Sequence, residues 1–318
     1  MPEISAFIPN PDVPGMNFTQ RHAEMVERAL GVRVHVCGSD DEFAESLRTC
    51  EIALCWRVLP EWLARARNLR WVATPAAGRE GLGVAASPTM FVTHGRFHGE
   101  FMAETVVGMM LAEVRGITDS VRLQAAGHNW PRKEVALLQR PLRGSHVVIL
   151  GFGRIGEWIA RLCKPSGVRV TGIRRTPAGR PTWFEEADRV LPLTELDSVL
   201  PEADHLVVVL PREEQCKHLL DARRLALLPR TAVLYSVGRG YAIDEAALAA
   251  ALHAGRLRAA YLDVFHEEPL PSNSPLCSAP RMVLMPHVSA GAMAYMDRFT
   301  EQFIADYKQH WPLTEPRP

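Results

Sequence analysis

Three ionisable residues in the second half of the chain, Arg239, Glu268 and His287, each stand at or just past the end of a short apolar run. Arg239 lies in Ser236-Val237-Gly238-Arg239-Gly240, Glu268 in Asp263-Val264-Phe265-His266-Glu267-Glu268-Pro269, and His287 in Met285-Pro286-His287. Taken singly, each has an ordinary reading: a loop charge, a turn acid, a packed histidine. As a set they hold the parts for reducing a carbonyl that sits beside a carboxylate. Negative charge builds on the carbonyl oxygen as a hydride reaches its carbon, and a protonated imidazole can deliver a proton as that charge forms. A carboxylate on the other ring nitrogen orients the imidazole and stabilises its charged form. A guanidinium can hold the substrate carboxylate and polarise the neighbouring carbonyl. The hydride itself must come from a cofactor, since no side chain provides one.

Residues 146–156, His-Val-Val-Ile-Leu-Gly-Phe-Gly-Arg-Ile-Gly, supply a place for that cofactor. Four apolar residues, Val147 to Leu150, read as a buried strand, and Gly151, Gly153 and Gly156 follow in G-x-G-x-x-G spacing. Gly151 is expected to make a tight turn, Gly153 to let backbone approach a pyrophosphate, and Gly156 to let the helix opening at Arg154 and Ile155 pack on the sheet. The free N–H groups at that helix start attract phosphates. Helix Glu157 to Cys163 and strand Val168 to Ile173 complete a βαβ unit. An NAD-binding unit places Asp or Glu about 20 residues past the glycines, on the ribose hydroxyls. Here that window reads Gly172-Ile173-Arg174-Arg175-Thr176, and the first acid is Glu185. Two guanidiniums and a hydroxyl suit the 2′-phosphate of NADP. One charge-assisted contact of roughly 1.5–3 kcal/mol corresponds to tens to a hundredfold in preference at about 1.4 kcal/mol per decade. NAD is the alternative cofactor. Pro211 and Val237, beyond the apolar runs 206–210 and 232–235, are assigned to the cofactor as well.

The elements that must position these residues follow an α/β alternation. Residues 4–8, 32–36, 52–55 and 70–73 are strand-like, with helical patterns at Thr19 to Leu30, Asp40 to Arg48 and Pro60 to Arg67 between them. The turn Thr74-Pro75-Ala76-Ala77-Gly78-Arg79-Glu80 could hold an anion on its N–H groups or be a plain surface loop. Trp56 and Arg57 follow a strand at its carboxyl end, where ligands of open α/β sheets bind. A long apolar helix pattern, Phe97 to Arg115, is expected to link two domains. Further strands are expected at Leu206 to Leu210, Ala232 to Tyr235 and Ala259 to Leu262, with helices Ala222 to Leu228 and Asp244 to Ala254, the latter capped by Asp244.

Length and composition bound the rest. The 318 residues suggest about two domains, and 47% hydrophobic residues can fill a core in each. With 36 basic and 36 acidic residues, no bulk field draws the chain to nucleic acid or to a membrane surface. The opening Met-Pro-Glu-Ile-Ser lacks a signal-peptide pattern and no apolar run has the length of a span, so a cytoplasmic protein is expected. The six cysteines (37, 50, 55, 163, 216, 277) form no C-x-x-C pair and read as buried free thiols, with no metal expected.

With these motifs assembled, the chain resembles the D-isomer-specific 2-hydroxyacid dehydrogenases from about residue 45 to residue 291. The resemblance rests on Gly151-Phe-Gly-Arg-Ile-Gly156, Gly238-Arg239-Gly240, Leu262-Asp263-Val264-Phe265 running into Glu268-Pro269-Leu270, and Pro286-His287-Val288-Ser289-Ala290. It implies two Rossmann-like or flavodoxin-like parallel-sheet domains with a cleft between them. Residues 1–96 plus 290–318 would form a discontinuous substrate domain, completed by a C-terminal helix at about 292–310, and 97–289 the dinucleotide-binding domain. Arg239 would bind substrate carboxylate and carbonyl, His287 would be the acid/base, and Glu268 its partner. Asp263 would hold the nicotinamide carboxamide, and the Ala77-Gly78 turn would offer N–H groups to the substrate carboxylate. A homodimer through the cofactor domain is implied too. The family's Gly-Val-Asp is Gly78-Arg79-Glu80 here and its usual Asn is His94, which touches substrate identity rather than chemistry. A formate dehydrogenase would carry Gln at position 268. The stretch around Trp56 and Arg57 looks most like glyoxylate/hydroxypyruvate reductases. The expected activity is therefore NADPH-dependent, reversible reduction of a small 2-keto acid to a D-2-hydroxy acid. The rival reading is a non-catalytic nicotinamide sensor, like the C-terminal-binding-protein corepressors.

Overall fold

A computed structural model describes residues 2–176 and 179–312. The chain divides into two compact units: one runs to His98 and resumes at Gly291, and the other is Gly99–Ala290.

The first unit is built on five parallel strands, β1 (Glu3–Phe7), β2 (Arg33–Val36), β3 (Ile52–Cys55), β4 (Trp71–Thr74) and β5 (Phe91–His94), in the order β2-β1-β3-β4-β5. That is the flavodoxin-like winding. The central strands β3 and β4 are buried along their whole length, the continuous apolar pattern of a sheet covered on both faces. Strand β5 was not foreseen: it is a half-buried edge strand, fastened where Trp71 Nε1 donates to Thr93 Oγ1 at 3.0 Å. Helix Tyr295–His310, near the end of the chain, returns to this unit and lays Phe303 against Trp71, ring centroids 5.1 Å apart.

The second unit holds seven parallel strands: β6 (His146–Leu150), β7 (Arg169–Arg174), β8 (Arg189–Pro192), β9 (His205–Val208), β10 (Val233–Ser236), β11 (Ala259–Leu262) and β12 (Met282–Leu284). Their order is β12-β11-β10-β9-β6-β7-β8. The winding reverses between β6 and β9, and ligands of such sheets bind at the carboxyl ends beside that switch. Helix Arg154–Cys163 carries the β6–β7 crossover, burying Ile159, Ala160 and Cys163 on one face. Asp244 Oδ1 accepts from Ala247 N at 2.9 Å, capping helix Glu245–His253. The apolar pattern expected over 97–115 is a helix at His98–Val114, which ends where Gly116 takes a left-handed conformation before a second helix, Ile117–Ala125. Five of the six cysteines are buried, but Cys277 is exposed, against expectation. It follows Pro275-Leu276, and Leu276 takes the buried position of that turn.

Candidate active site

The glycine turn after β6 is shaped by contacts that a side chain would destroy. Gly151 has φ +103°, and a Cβ there would lie 2.3 Å from the Val209 carbonyl oxygen. A Cβ on Gly156 would lie 2.7 Å from the Gly151 carbonyl oxygen, so helix and turn touch backbone to backbone. At Gly153, the N-cap of helix Arg154–Cys163, a Cβ would meet no protein atom within 4 Å. That open cradle, in front of helix N–H groups that have no partner within the helix, fits a pyrophosphate.

The residues expected to meet a 2′-phosphate follow at the end of β7. Arg174 is half-buried, and Arg175 and Thr176 are exposed. Arg175 Nη1 pairs with Glu213 Oε2 at 2.6 Å, an acid from the loop after β9 that also takes the Gln215 amide. Pro211, in the same loop, is exposed. The Val237 side chain is buried in the apolar core, so its backbone is what it can turn toward a ligand.

Arg239 is half-buried after β10, its Nη1 donating to the Gly238 carbonyl at 2.9 Å. The glycines around it are a packing requirement. A Cβ on Gly238 would come within 2.6 Å of Leu210 backbone, and one on Gly240 within 2.0 Å of the Phe265 carbonyl carbon. The Arg239 loop is thus pressed between the loops after β9 and β11.

The loop after β11 carries Glu268, and the two carboxylate oxygens have separate duties. Oε1 accepts from Phe265 N at 2.9 Å, and Oε2 meets His287 Nδ1 at 2.7 Å. The carboxylate marks Nδ1 as the ring nitrogen that keeps its proton, leaving Nε2 to exchange one. Both side chains stay reachable, His287 at 49% and Glu268 at 35% exposure.

His287 itself has φ +53°, a conformation that costs a non-glycine residue about 1–3 kcal/mol. Asp263 holds it there. The Asp263 carbonyl accepts from His287 N at 2.9 Å, Oδ1 from Val288 N at 2.7 Å and Oδ2 from Ser289 N at 2.9 Å. Asp263 is wholly buried, so this acid supports the histidine backbone in addition to whatever its resemblance to the family implies. Sequence reasoning missed that duty, and also Glu213. The only available signal for Asp263 was an acid ending an otherwise apolar strand.

A second carboxylate lies under the same loop. Glu245 Oε1 accepts from His266 N at 2.7 Å. Burial pushes its carboxyl above the ordinary carboxylate range, and the nearby Glu268 adds to that rise.

In the first unit, the turn after β4 is propped from below. Gly95 N donates to the Ala76 carbonyl at 3.0 Å, and the Tyr295 hydroxyl to the Pro75 carbonyl at 3.3 Å. His94 sits against the backbone at Gly78 and Ala76, and burial lowers its pKa. Trp56 lies 6.3 Å, ring to ring, from Tyr295, whose hydroxyl meets the Pro75 carbonyl. Arg57 reaches Asp40 at 3.3 Å, in a cavity of about 300 Å³ that Trp56, Phe7, Pro9 and Trp62 also line.

Comparison with known proteins gives a consistent set of relatives. The family model described as D-isomer specific 2-hydroxyacid dehydrogenase, NAD binding domain, matches residues 107–289. A glyoxylate reductase of Aeropyrum pernix is 32% identical over 243 residues, 74% of this chain and 71% of the relative. Glyoxylate/hydroxypyruvate reductase B of Pectobacterium atrosepticum is 31% identical over 246 residues, 74% of this chain and 73% of the relative. Among solved structures, a D-isomer specific 2-hydroxyacid dehydrogenase from Xanthobacter autotrophicus, in complex with NADPH and MES, superposes with TM-score 0.79 at 27% identity, covering 100% of this chain and 98% of that one. An NADPH-dependent glyoxylate/hydroxypyruvate reductase from Sinorhizobium meliloti, in complex with citrate, gives 0.76 at 25% identity, covering 100% and 97%.

Proposed function

This chain belongs to the D-isomer specific 2-hydroxyacid dehydrogenases, and from that premise we propose that it reduces a small 2-keto acid to the D-2-hydroxy acid with NADPH, reversibly. The observation that carries the reading is the 2.7 Å pairing of Glu268 with His287 Nδ1 at the carboxyl ends of adjacent strands. A protein that only senses the nucleotide has no need of that pair.

When bound, the reduced nicotinamide supplies the hydride. His287 gives a proton from Nε2 to the carbonyl oxygen and takes it back in the reverse direction. Glu268 keeps Nδ1 protonated and stabilises the imidazolium. Asp263 fixes the backbone from which the imidazole projects. Arg239 binds the substrate carboxylate and draws charge from the carbonyl. The N–H groups of Ala77 and Gly78, with Trp56 and Arg57, are the further groups assigned to the substrate. The glycine turn holds the pyrophosphate, and Arg174, Arg175 and Thr176 hold the 2′-phosphate. Glu213 competes with that phosphate for Arg175. The reductase relatives favour glyoxylate and hydroxypyruvate as substrates.

A homodimer is part of the reading. Ile117, Val121, Trp130 and Leu137 of the cofactor-binding unit are 54%, 61%, 84% and 77% exposed, an apolar set that a second copy would cover. Sedimentation of wild type against Trp130→Glu/Leu137→Glu checks it, and an unchanged dimer in the variant would move the interface elsewhere. Among the described residues, no helix is long and apolar enough to cross a membrane.

The activity is tested by steady-state NADPH oxidation with glyoxylate, hydroxypyruvate and phenylpyruvate. Turnover of at least one supports the assignment, and silence across a broad 2-keto acid panel removes it.

A further inference from the structure

The first unit has a cluster that the reductase chemistry does not use. His35 lies on edge strand β2 and Cys37 just past its end, and residues two apart on an extended chain face the same side. Glu42 comes from the first turn of the following helix, Asp40–Ser46. The chain reverses at Gly38-Ser39 and brings this acid back over the strand. Ligand atoms of His35, Cys37 and Glu42 all lie within 4.8 Å of one another. His35 Nε2 is 3.0 Å from Glu42 Oε1.

We propose that His35, Cys37 and Glu42 form a binding site for a thiophilic divalent cation, Zn²⁺ by the chemistry of its donors. One imidazole, one thiolate and one carboxylate are the ligand types that Zn²⁺ accepts in four-coordinate sites, at about 2.0–2.3 Å. Bonds of that length put neighbouring donors about 3.3–3.8 Å apart, so the three atoms need close by only about 1 Å. The two anionic ligands neutralise the dication. Three protein ligands leave a fourth position for water, which makes the ion exchangeable.

The surroundings hold the ligands for this use. Cys37 N donates to the Ala6 carbonyl at 2.9 Å, fixing the thiol at the sheet edge. Gly38 N donates to Glu42 Oε2 at 2.7 Å, which turns Oε1 toward His35. Ser39 Oγ accepts from Glu42 N at 3.2 Å, and Ser46 Oγ lies 3.6 Å from Cys37 Sγ. Partners of this kind orient metal ligands in known sites. A surface ion pair accounts for His35 and Glu42 alone. It gives no reason for a thiol to face them. Without a cation, burial pushes the Cys37 thiol above its ordinary range, so it is a poor nucleophile. A cation would displace that proton. Binding would clamp the edge strand to the helix and stabilise the folded state by mass action.

The test is Co²⁺ and Zn²⁺ titration of the full chain after chelator treatment, with Cys37→Ser, His35→Ala, Glu42→Gln and Cys277→Ser for comparison. The expected result is one Co²⁺ per chain with a near-ultraviolet thiolate-to-cobalt charge-transfer band. That band should vanish in Cys37→Ser and persist in Cys277→Ser, whose thiol is exposed. His35→Ala and Glu42→Gln should weaken binding by more than about tenfold. Zn²⁺ should raise the melting temperature of wild type and not of Cys37→Ser. Absence of stoichiometric binding, a wild-type cobalt complex without the band, or a band that survives Cys37→Ser would each overturn the proposal.

Discussion

Two carboxylate-centred networks in the cofactor-binding unit are built from similar contacts and used in opposite ways. Glu113 is wholly buried. It accepts from Arg258 Nε at 2.6 Å and from the Tyr261 hydroxyl at 2.9 Å, and Arg281 bridges it to Asp119. Glu268 meets His287 at a similar 2.7 Å, but both are partly exposed and the imidazole has a second nitrogen to offer. The first network spends its hydrogen-bonding capacity inside the fold, so it can only hold. The second is clamped on one side, by Asp263 and by Phe265 N, and open on the other, so it can act. A short ion pair alone therefore says nothing about chemistry. The difference lies in which lone pairs and protons remain available.

The comparison breaks if the two networks respond alike to mutation. His287→Ala should lower kcat for keto-acid reduction by about 10²–10⁴-fold, the range for a positioned acid/base group, with little change in melting temperature. Glu113→Gln should do the reverse. It leaves the half-buried Arg258 with a neutral acceptor in place of its carboxylate, at a cost of about 1–3 kcal/mol in unfolding free energy, while the kcat of the folded fraction stays near wild type. Denaturant melts and kinetics on both variants decide this, and equal losses of stability would erase the distinction.

The pH dependence of stability sharpens it. Burial pushes Glu113 up, but Arg258, Tyr261 and Arg281 outweigh burial and hold its carboxyl below the ordinary range. A depressed carboxyl contributes stability above the unfolded value near 4.5, lost as pH falls through the folded value. His205, buried at the start of β9 with Nδ1 3.0 Å from the Tyr235 hydroxyl, is lowered by burial, and further by the Arg140 charge, to about 4. The unfolded chain then binds more protons than the folded one between about pH 6.5 and 4, so stability falls across that window as pH falls, by about 3 kcal/mol in all. His205→Asn should flatten that slope. A slope unchanged in the variant would place the proton uptake elsewhere.

Smaller effects belong at the cofactor end. Replacing Arg174 and Arg175 with Ala should weaken NADPH by about tenfold or more and leave NADH little changed. Equal losses would refute their phosphate role. Glu213→Gln should favour NADPH by a few-fold, more at low ionic strength, because an exposed pair is worth about 1 kcal/mol or less. An effect of the same size on NADH would assign Glu213 to the loop alone.

Much of the active rim was legible because its residues combine type with place. Arg239 between two glycines, and His287 and Glu268 past apolar runs, each announced a strand end. The glycine spacing gave the nucleotide turn for the same reason. What stayed hidden depends on pairing between distant stretches. Glu213 and Arg175 meet only because β9 and β7 flank β6 in the sheet. Asp263 caps a loop 25 residues away. Strands β5, β8 and β12 are short and half-buried, without the continuous apolar run that marked the central strands. The His35, Cys37 and Glu42 cluster has no familiar spacing, since its third ligand comes from a helix folded back over the strand.

The central claim is that the carboxylate of Glu268 acts on catalysis through the imidazole of His287. The direct measurement is a double-mutant cycle on kcat for NADPH-dependent keto-acid reduction, with Glu268→Gln, His287→Ala and the two combined. Because the carboxylate reaches the substrate only by way of the imidazole it meets at 2.7 Å, Glu268→Gln should lower kcat in the wild-type background and cost nothing further once His287 is Ala. An equal loss in both backgrounds would leave Glu268 a structural acid and contradict the account.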